Sequence, residues 1–356
     1  MRLSELDYDL PEELIAQEPI ARRDEARLLV LDRKSKTIEH SRFYKLVRHL
    51  RAGDLVVIND TRVLPARLFA QKESGGRVEL LLVRPLDGPI EVGVGPVGRL
   101  EVPAGAWVAL VRTHRVLKEN SRLVLGDGHA LRVVGYAKPG RPIVVSDDDT
   151  SIEQILERDG TLALPHYIHH IHRTVGPADI DDYQTVYASQ PGAIAAPTAG
   201  LHFTDEVFKQ MADAGIRTAT VTLHIGPGTF APVRAVEVES HSMESEWYTI
   251  PPATRKAIDH ARRMGGRVIT VGTSSTRALE SYAITGDAEG FTGLFIHPGF
   301  RFKLADAMLT NFHMPRTTVL ALAMAFAGRE QLLAAYRDAI RHRYRFLSYG
   351  DAMLIL

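Results

Sequence analysis

The chain has 356 residues, 45% hydrophobic and 24% charged, the balance of an ordinary folded protein of about two domains. Its 43 basic side chains match 43 acidic ones, which excludes a polycation that coats nucleic acid or anionic membrane non-specifically, though not local basic patches. The absence of cysteine excludes disulfides, thiolate nucleophiles, iron–sulfur clusters and thiolate zinc sites together.

The N-terminal MRLSELDYDL carries acids where a secretory signal needs an apolar run, so the cell interior, the cytoplasm, is the expected location. Pro11 with Glu12 and Glu13 suits the first turn of a helix. RLLVLD (27–32) and LVVIND (55–60) read as short apolar strands, with the amphipathic FYKLVRHL (43–50) between them. Over 67–146 the character changes. VELLLV, VALV, RLVL, ALRVV and PIVV alternate with SGG, GDG and KPGRP turns, the spacing of a small barrel or sandwich.

Helical signals return at Thr150, three residues ahead of Glu153 in a capping-box arrangement, with Gly160 as the stop. Thr204 opens another helix and Gly215 closes it. Then follow strand RTATVTLHI (217–225), a helix from about Ala253, strand RVITV (267–271), a helix near 276–284 and strand GLFIH (293–297). Two helices, near 317–327 and 329–342, finish the chain. The apolar VLALAMAFA (319–327) is too short to cross a bilayer and reads as a buried helix, so no membrane partner is expected. The fold class is therefore α/β: a main domain of residues 1–66 and 149–356, with a small all-β barrel inserted at 67–148.

GVGPVG (93–98) fits the glycine spacing of a dinucleotide loop, but Pro96 and the following RLEVPAG offer no helix to receive a pyrophosphate, so a turn cluster is expected. HYIHHIH (166–172) holds four histidines in seven residues. With no acid inside the run and Pro165 and Pro177 around it, a solvated loop is expected and no metal site.

Chemistry concentrates where polar, glycine-rich stretches adjoin apolar strands, the usual place for sites on α/β sheets. Asn59, Asp60, Thr61 and Arg62 end one strand, and an arginine there can fork onto a carboxylate or phosphate. GTSSTR (272–277) joins a strand to a helix, offering free N–H donors and the hydroxyls of Thr273, Ser274, Ser275 and Thr276 as an anion cradle. PGAIAAPTAGLHFTDE (191–206) and LHIGPGTFAPV (223–233) each set a histidine, His202 or His224, near an aromatic ring, Phe203 or Phe230. Arg341, Arg343 and Arg345 alternate with His342, Tyr344 and Phe346. That composition suits phosphate contact and base stacking, although a solvated helix face is the better explanation of the cluster in isolation.

INDTRVLPARL (58–68), YQTVYA (183–188), GAIAAPTAGLHFT (192–204), LHIGPGTFAPV (223–233), GTSSTRALES (272–281), HPGFRF (297–302), LTNFHMP (309–315) and YRFLSYGDAML (344–354) together resemble the S-adenosylmethionine:tRNA ribosyltransferase-isomerases of queuosine biosynthesis. The motifs run in family order over essentially the whole chain. Two departures stand out: His297 precedes PGF where the resemblance calls for tyrosine, and 166–178 is rich in histidine where it calls for an acidic stretch.

The resemblance implies transfer and isomerisation of the ribosyl group of S-adenosylmethionine onto 7-aminomethyl-7-deazaguanine at the tRNA wobble position, giving epoxyqueuosine with release of adenine and methionine. It implies an α/β fold with an inserted barrel, tRNA and S-adenosylmethionine as partners, and the latter as co-substrate without a true cofactor. A monomer is expected. The sulfonium acidifies the adjoining C5′ hydrogens, so a histidine titrating near neutrality suits the base. His202 or His224 is expected in that role, with His313 in reserve. Asn59, Thr61, Arg62, Thr273, Ser275 and Arg277 are expected around the methionine or ribosyl portion, with Phe203 or Phe230 stacked on adenine. A methyltransferase would need a cofactor fingerprint that the first strand–helix unit lacks. A non-catalytic RNA-binding module would leave GTSSTR and APTAGLHF without purpose, and a histidine-metal hydrolase is the weakest alternative.

Overall fold

The computed structural model describes the chain except residues 87–89, 93–97, 127, 169–176, 231, 232, 234 and 236, and describes backbone alone at 90–92, 98–100, 177–178 and 229–230. Two compact units divide it: Met1–Arg62 with Pro165–Leu356, and Val63–Leu164.

The first unit is built on a nine-stranded mixed sheet. Its strands are β1 (Arg27–Asp32), β2 (Thr37–Arg42), β3 (Leu55–Asn59), β4 (Arg217–Leu223), β5 (Glu246–Thr249), β6 (Val268–Val271), β7 (Glu289–Thr292), β8 (Ala307–Asn311) and β9 (Ala352–Ile355), in the order β7-β5-β4-β3-β6-β8-β9-β1-β2. The four central neighbours β4, β3, β6 and β8 are parallel. Their unbroken apolar sequences follow from burial on both faces: every residue of β3, β6 and β8 is buried. Alternate residues feed different cores. Val56, Ile58, Ile269 and Leu309 pack with Phe203, Val207 and Met211, whereas Leu55, Val57 and Val268 pack with Ile258, Ala278 and Leu279.

Five helices cover the sheet: α1 (Asp205–Asp213), α2 (Pro252–Arg263), α3 (Gly272–Thr285), α4 (Thr318–Ala327) and α5 (Arg329–Arg341). Thr204 caps α1 as its sequence predicts, its hydroxyl accepting from the Val207 N–H at 3.3 Å. The apolar run becomes α4, buried along nearly its whole length, and no single helix among the described residues is long and apolar enough to cross a membrane. Helix α3 starts four residues earlier than its periodicity suggests. Gly272 takes φ +82°, which lets the chain turn straight from β6 into the helix and is strained for any other residue. Residues 293–297 are not a strand; the strand lies just before, at β7, where pairing with β5 decides the boundary.

The second unit is a closed six-stranded antiparallel barrel. Arg67–Lys72, Arg77–Pro85, Trp107–Arg112, Ala130–Lys138 and Arg141–Ser146 form it with Arg122–Leu125, which pairs back onto the first strand. Alternation along Arg77–Pro85 sends Val78, Leu80 and Leu82 inward. This unit is longer than the expected 67–148, because helix Ile152–Asp159 and its sequel belong to it: Thr161 exchanges backbone hydrogen bonds with Arg67. That helix is capped by Ser151 with Gln154, one residue beyond the Thr150 and Glu153 that the sequence suggests. GVGPVG and the last four residues of HYIHHIH lie wholly or largely outside the described residues.

Candidate active site

Chain order leaves β3 in opposite directions, towards β4 on one side and β6 on the other. Parallel sheets bind ligands beyond the carboxyl ends of their strands at such a reversal. Asn59, the last residue of β3, stands there fully buried. Its Nδ2 donates to the Leu223 carbonyl at 2.9 Å and to Ser274 Oγ at 3.0 Å. Its Oδ1 accepts from the N–H groups of Leu223 at 3.0 Å and Thr61 at 3.2 Å. Two donors and two acceptors are the full capacity of an asparagine side chain. Asn59 therefore ties the end of β3 to the end of β4 and to the first turn of α3, and has nothing left for a ligand.

Around that lock lies a narrow cleft of about 50 Å³, lined by 196–199, Ile225, Glu246, Gly272, Thr273, Ser274, Arg277, Thr310, Asn311, His313 and Val319. Segments separated by more than a hundred residues meet because β4, β6 and β8 all end here. Thr273 faces the cleft with its hydroxyl uncommitted among the described residues, and no side chain caps the first turn of α3, so the N–H groups of that turn remain available to an anion. Two other hydroxyls of this stretch are spent. Ser274 is held by Asn59, and Thr276 bonds to the Gly272 carbonyl at 3.0 Å and to Thr270 at 2.7 Å. Ser275, expected as a ligand contact, is instead buried at 0% exposure, outside the cleft lining.

Arg277 also departs from expectation. It lines the cleft, but its guanidinium pairs with buried Glu246 and donates to the carbonyls of Leu294 (3.1 Å) and Thr292 (3.4 Å). Glu246 accepts the Gly226 N–H at 2.7 Å. The arginine thus fastens α3 to the glycine-rich turn after β4, with its charge already met. Nothing in ESEWYT marks Glu246 as functional, since its partner stands 31 residues away.

The three histidines fall in three different settings. His313 lines the cleft. Its Nε2 is hydrogen-bonded to Thr310 Oγ1 at 2.8 Å, and burial holds its pKa down to about 3. His202 is buried at the back of a separate small pocket with Arg23, Ser348 and Tyr349. Its ring lies 5.1 Å from Phe43, its Nε2 is 3.4 Å from Asn311 Nδ2, and burial lowers its pKa to about 4. His224 stacks on Trp247 at 5.0 Å and bonds Thr61 Oγ1 through Nδ1 at 2.8 Å; Ile225, the next residue, is the one that reaches the cleft. Burial lowers the His224 pKa and the Asp60 carboxylate opposes the shift. Gly192 passes directly over this ring, where an added Cβ would come within 2.7 Å.

Of the remaining expected contacts, Thr61 is buried and committed to His224, and Arg62 is exposed, donating to the Ala188 carbonyl at 2.9 Å. Phe203 cannot stack on a ligand: it is 0% exposed, stacked on Phe208 at 5.0 Å with its edge to Phe43. The Phe230 side chain lies outside the described residues. Tyr344 and Phe346, in the arginine-rich C-terminal stretch, are core residues packed on Phe312. Arg27 lies over the Tyr344 ring at 4.4 Å and pairs with Asp351, so this stretch offers no exposed stacking surface from those two rings.

Comparison with known proteins matches residues 3–355 to the family described as queuosine biosynthesis protein. The S-adenosylmethionine:tRNA ribosyltransferase-isomerase of Geobacter metallireducens is 44% identical over 360 residues, covering all of both chains. That of Rubrobacter xylanophilus is 47% identical, covering all of this chain and 98% of its own. The crystal structure of S-adenosylmethionine tRNA ribosyltransferase from Thermotoga maritima is similar at a TM-score of 0.54 and 34% identity, covering 99% of this chain and all of its own.

Proposed function

Since the chain belongs to the queuosine biosynthesis protein family, we propose that it transfers the ribosyl group of S-adenosylmethionine onto 7-aminomethyl-7-deazaguanine at the wobble position of a tRNA and isomerises it. It is an enzyme of the ribosyltransferase-isomerase class, the activity its relatives are named for. The products of the proposed reaction are epoxyqueuosine in the tRNA, adenine and methionine. A tRNA substrate places the work in the cytoplasm.

The observation that carries this reading is the convergence of GTSSTR, LTNFHMP, APTAG and LHIG on one cleft at the carboxyl ends of parallel strands. The positive end of α3, with the Thr273 hydroxyl, suits the methionine carboxylate. The small residues 196–199 and Ile225 supply an apolar wall that a purine can lie against. Positive sulfur withdraws electrons from C5′, so a neutral imidazole can take a proton there, and methionine later leaves as an uncharged thioether. S-adenosylmethionine serves as co-substrate, and the proposed chemistry draws on it and on the aminomethyl base of the tRNA. His313 is favoured as the base over His202 and His224, because it alone of the three lines the cleft.

The test supplies S-adenosylmethionine labelled either in the ribose or in the methyl group, with tRNA carrying the aminomethyl base. Ribose label entering the tRNA, with adenine released in step, is the expected result; methyl label entering it would overturn the reading. His313→Ala is expected to lower kcat by about 100-fold or more with S-adenosylmethionine affinity within a few-fold, the size of a general-base contribution. Near-normal turnover would return the role to another group.

A further inference from the structure

One cluster of metal-ligand side chains stands outside the cleft. His40 lies on the edge strand β2, Asp338 near the end of α5, and His342 at the C-cap of that helix. The spacing of four between Asp338 and His342 sets both on one helix face, and His40 reaches across from the sheet. His40 Nε2 is 3.0 Å from Asp338 Oδ2, and His342 Nδ1 approaches the same oxygen to 3.5 Å. The two imidazoles are 4.4 Å apart between centroids, and one ligand atom from each of the three residues lies within 4.8 Å of the others.

Three details separate this cluster from an ordinary surface ion pair. Asp338 Oδ2 is shut off from solvent yet accepts no hydrogen bond among the described residues; the nearby His40 ring nitrogen does not aim an N–H along the line between them. A buried carboxylate oxygen left this way is costly unless a cation meets it. Both rings are also oriented from behind. His40 Nδ1 bonds the Tyr344 hydroxyl at 2.8 Å, and His342 Nδ1 bonds the Asp338 carbonyl at 2.9 Å. The carbonyl can only accept, which puts the His342 proton on Nδ1 and leaves its Nε2 lone pair for a metal, and the Tyr344 hydroxyl can accept from His40 Nδ1 to the same effect. Arg341 holds the other carboxylate oxygen at 3.0 Å, so Oδ2 keeps its direction.

We propose that His40, Asp338 and His342 bind one divalent transition-metal ion. Two imidazoles and one carboxylate suit zinc, with its fourth position left to water. A separation of 3.0 Å between Nε2 and Oδ2 is what two ligands about 2 Å from one ion subtend at an angle near 100°. The site is separate from the cleft, whose lining includes none of the three residues. It ties the edge strand to the end of the C-terminal helix, so occupancy stabilises this corner of the sheet and blunts an edge otherwise open to pairing. The sequence does not announce it, because His40 stands nearly three hundred residues from its partners.

The experiment titrates zinc ion alone into the full-length, chelator-treated protein by calorimetry, with the visible spectrum of cobalt as a second probe. One ion per chain is expected, with His40→Ala and His342→Ala each weakening it by at least tenfold. A rise in melting temperature on adding zinc should be lost in both variants, while their metal-free melting stays near that of the parent because His40 and His342 are exposed. No saturable zinc binding below about 100 μM would overturn the proposal, that being far weaker than protein zinc sites. Undiminished binding in the double variant would overturn it too, since the ion would then sit elsewhere, the four histidines of 166–172 included.

Discussion

The centre of the nine-stranded sheet and the barrel are made from the same apolar residues put to different ends. In the sheet, the parallel strands β3, β6 and β8 are buried on both faces, and their ends gather with that of β4 into one cleft. In the barrel, strands alternate inside and outside along their length and close on themselves, which spreads polar residues evenly over an outer surface. Phe69, 59% exposed between barrel strands, sits in a broad groove with Arg77, Arg112 and His114. That groove is larger than the cleft but holds no strand-end convergence and no buried polar lock. Burial of polar groups, more than the size of a hollow, is what singles out the cleft as the candidate site.

Three measurements sharpen this contrast. The largest effect is expected from Arg277→Ala, which leaves Glu246 as a buried, uncompensated charge: urea denaturation should show a loss of about 3–5 kcal/mol. A loss below about 1 kcal/mol would mean that the pair does not hold the cleft wall. Acid comes next. His202 and His313 titrate near 6.5 when unfolded but near 4 and 3 when folded, so below about pH 6.5 the unfolded chain binds more protons and stability falls as pH drops towards 4. The denaturation midpoint should therefore decline from pH 7 to pH 5, less steeply in His202→Phe. A flat profile would contradict the burial of both rings. The smallest effect is reserved for the barrel surface: Phe69→Ala should change stability by no more than about 0.5 kcal/mol, and a larger loss would show that this ring is covered.

Much of this architecture could be read in advance. The strands β3 and β6, the cap at Thr204, the buried α4 and the change to barrel spacing follow from apolar runs, hydroxyl caps and glycine turns that act locally. The motif blocks also led to the strand ends that line the cleft. What they did not show was which side chains face outward from those ends. His202, Phe203 and Ser275 stand in small, polar loops that look open, yet all three are buried by packing from distant elements. Asn59 and Arg277 look like ligand contacts because they carry the right donors, and those donors are consumed by Leu223, Ser274, Glu246 and Thr292. Glu246 and Asn311 reach the cleft, and only LTNFHMP offered a hint of the second.

Local sequence determined the elements and the family, because periodicity, capping and motif order are properties of neighbouring residues and need no partner. Tertiary structure decided the division of labour among the polar groups. Whether a histidine is a base or a packed ring, and whether an arginine grips a ligand or a glutamate, depends on groups up to a few hundred residues away and on how much water they exclude. Hydrogen-bond capacity and desolvation are set in three dimensions, and from them come the lock at Asn59, the low pKa of His313 and the meeting of His40 with Asp338 and His342.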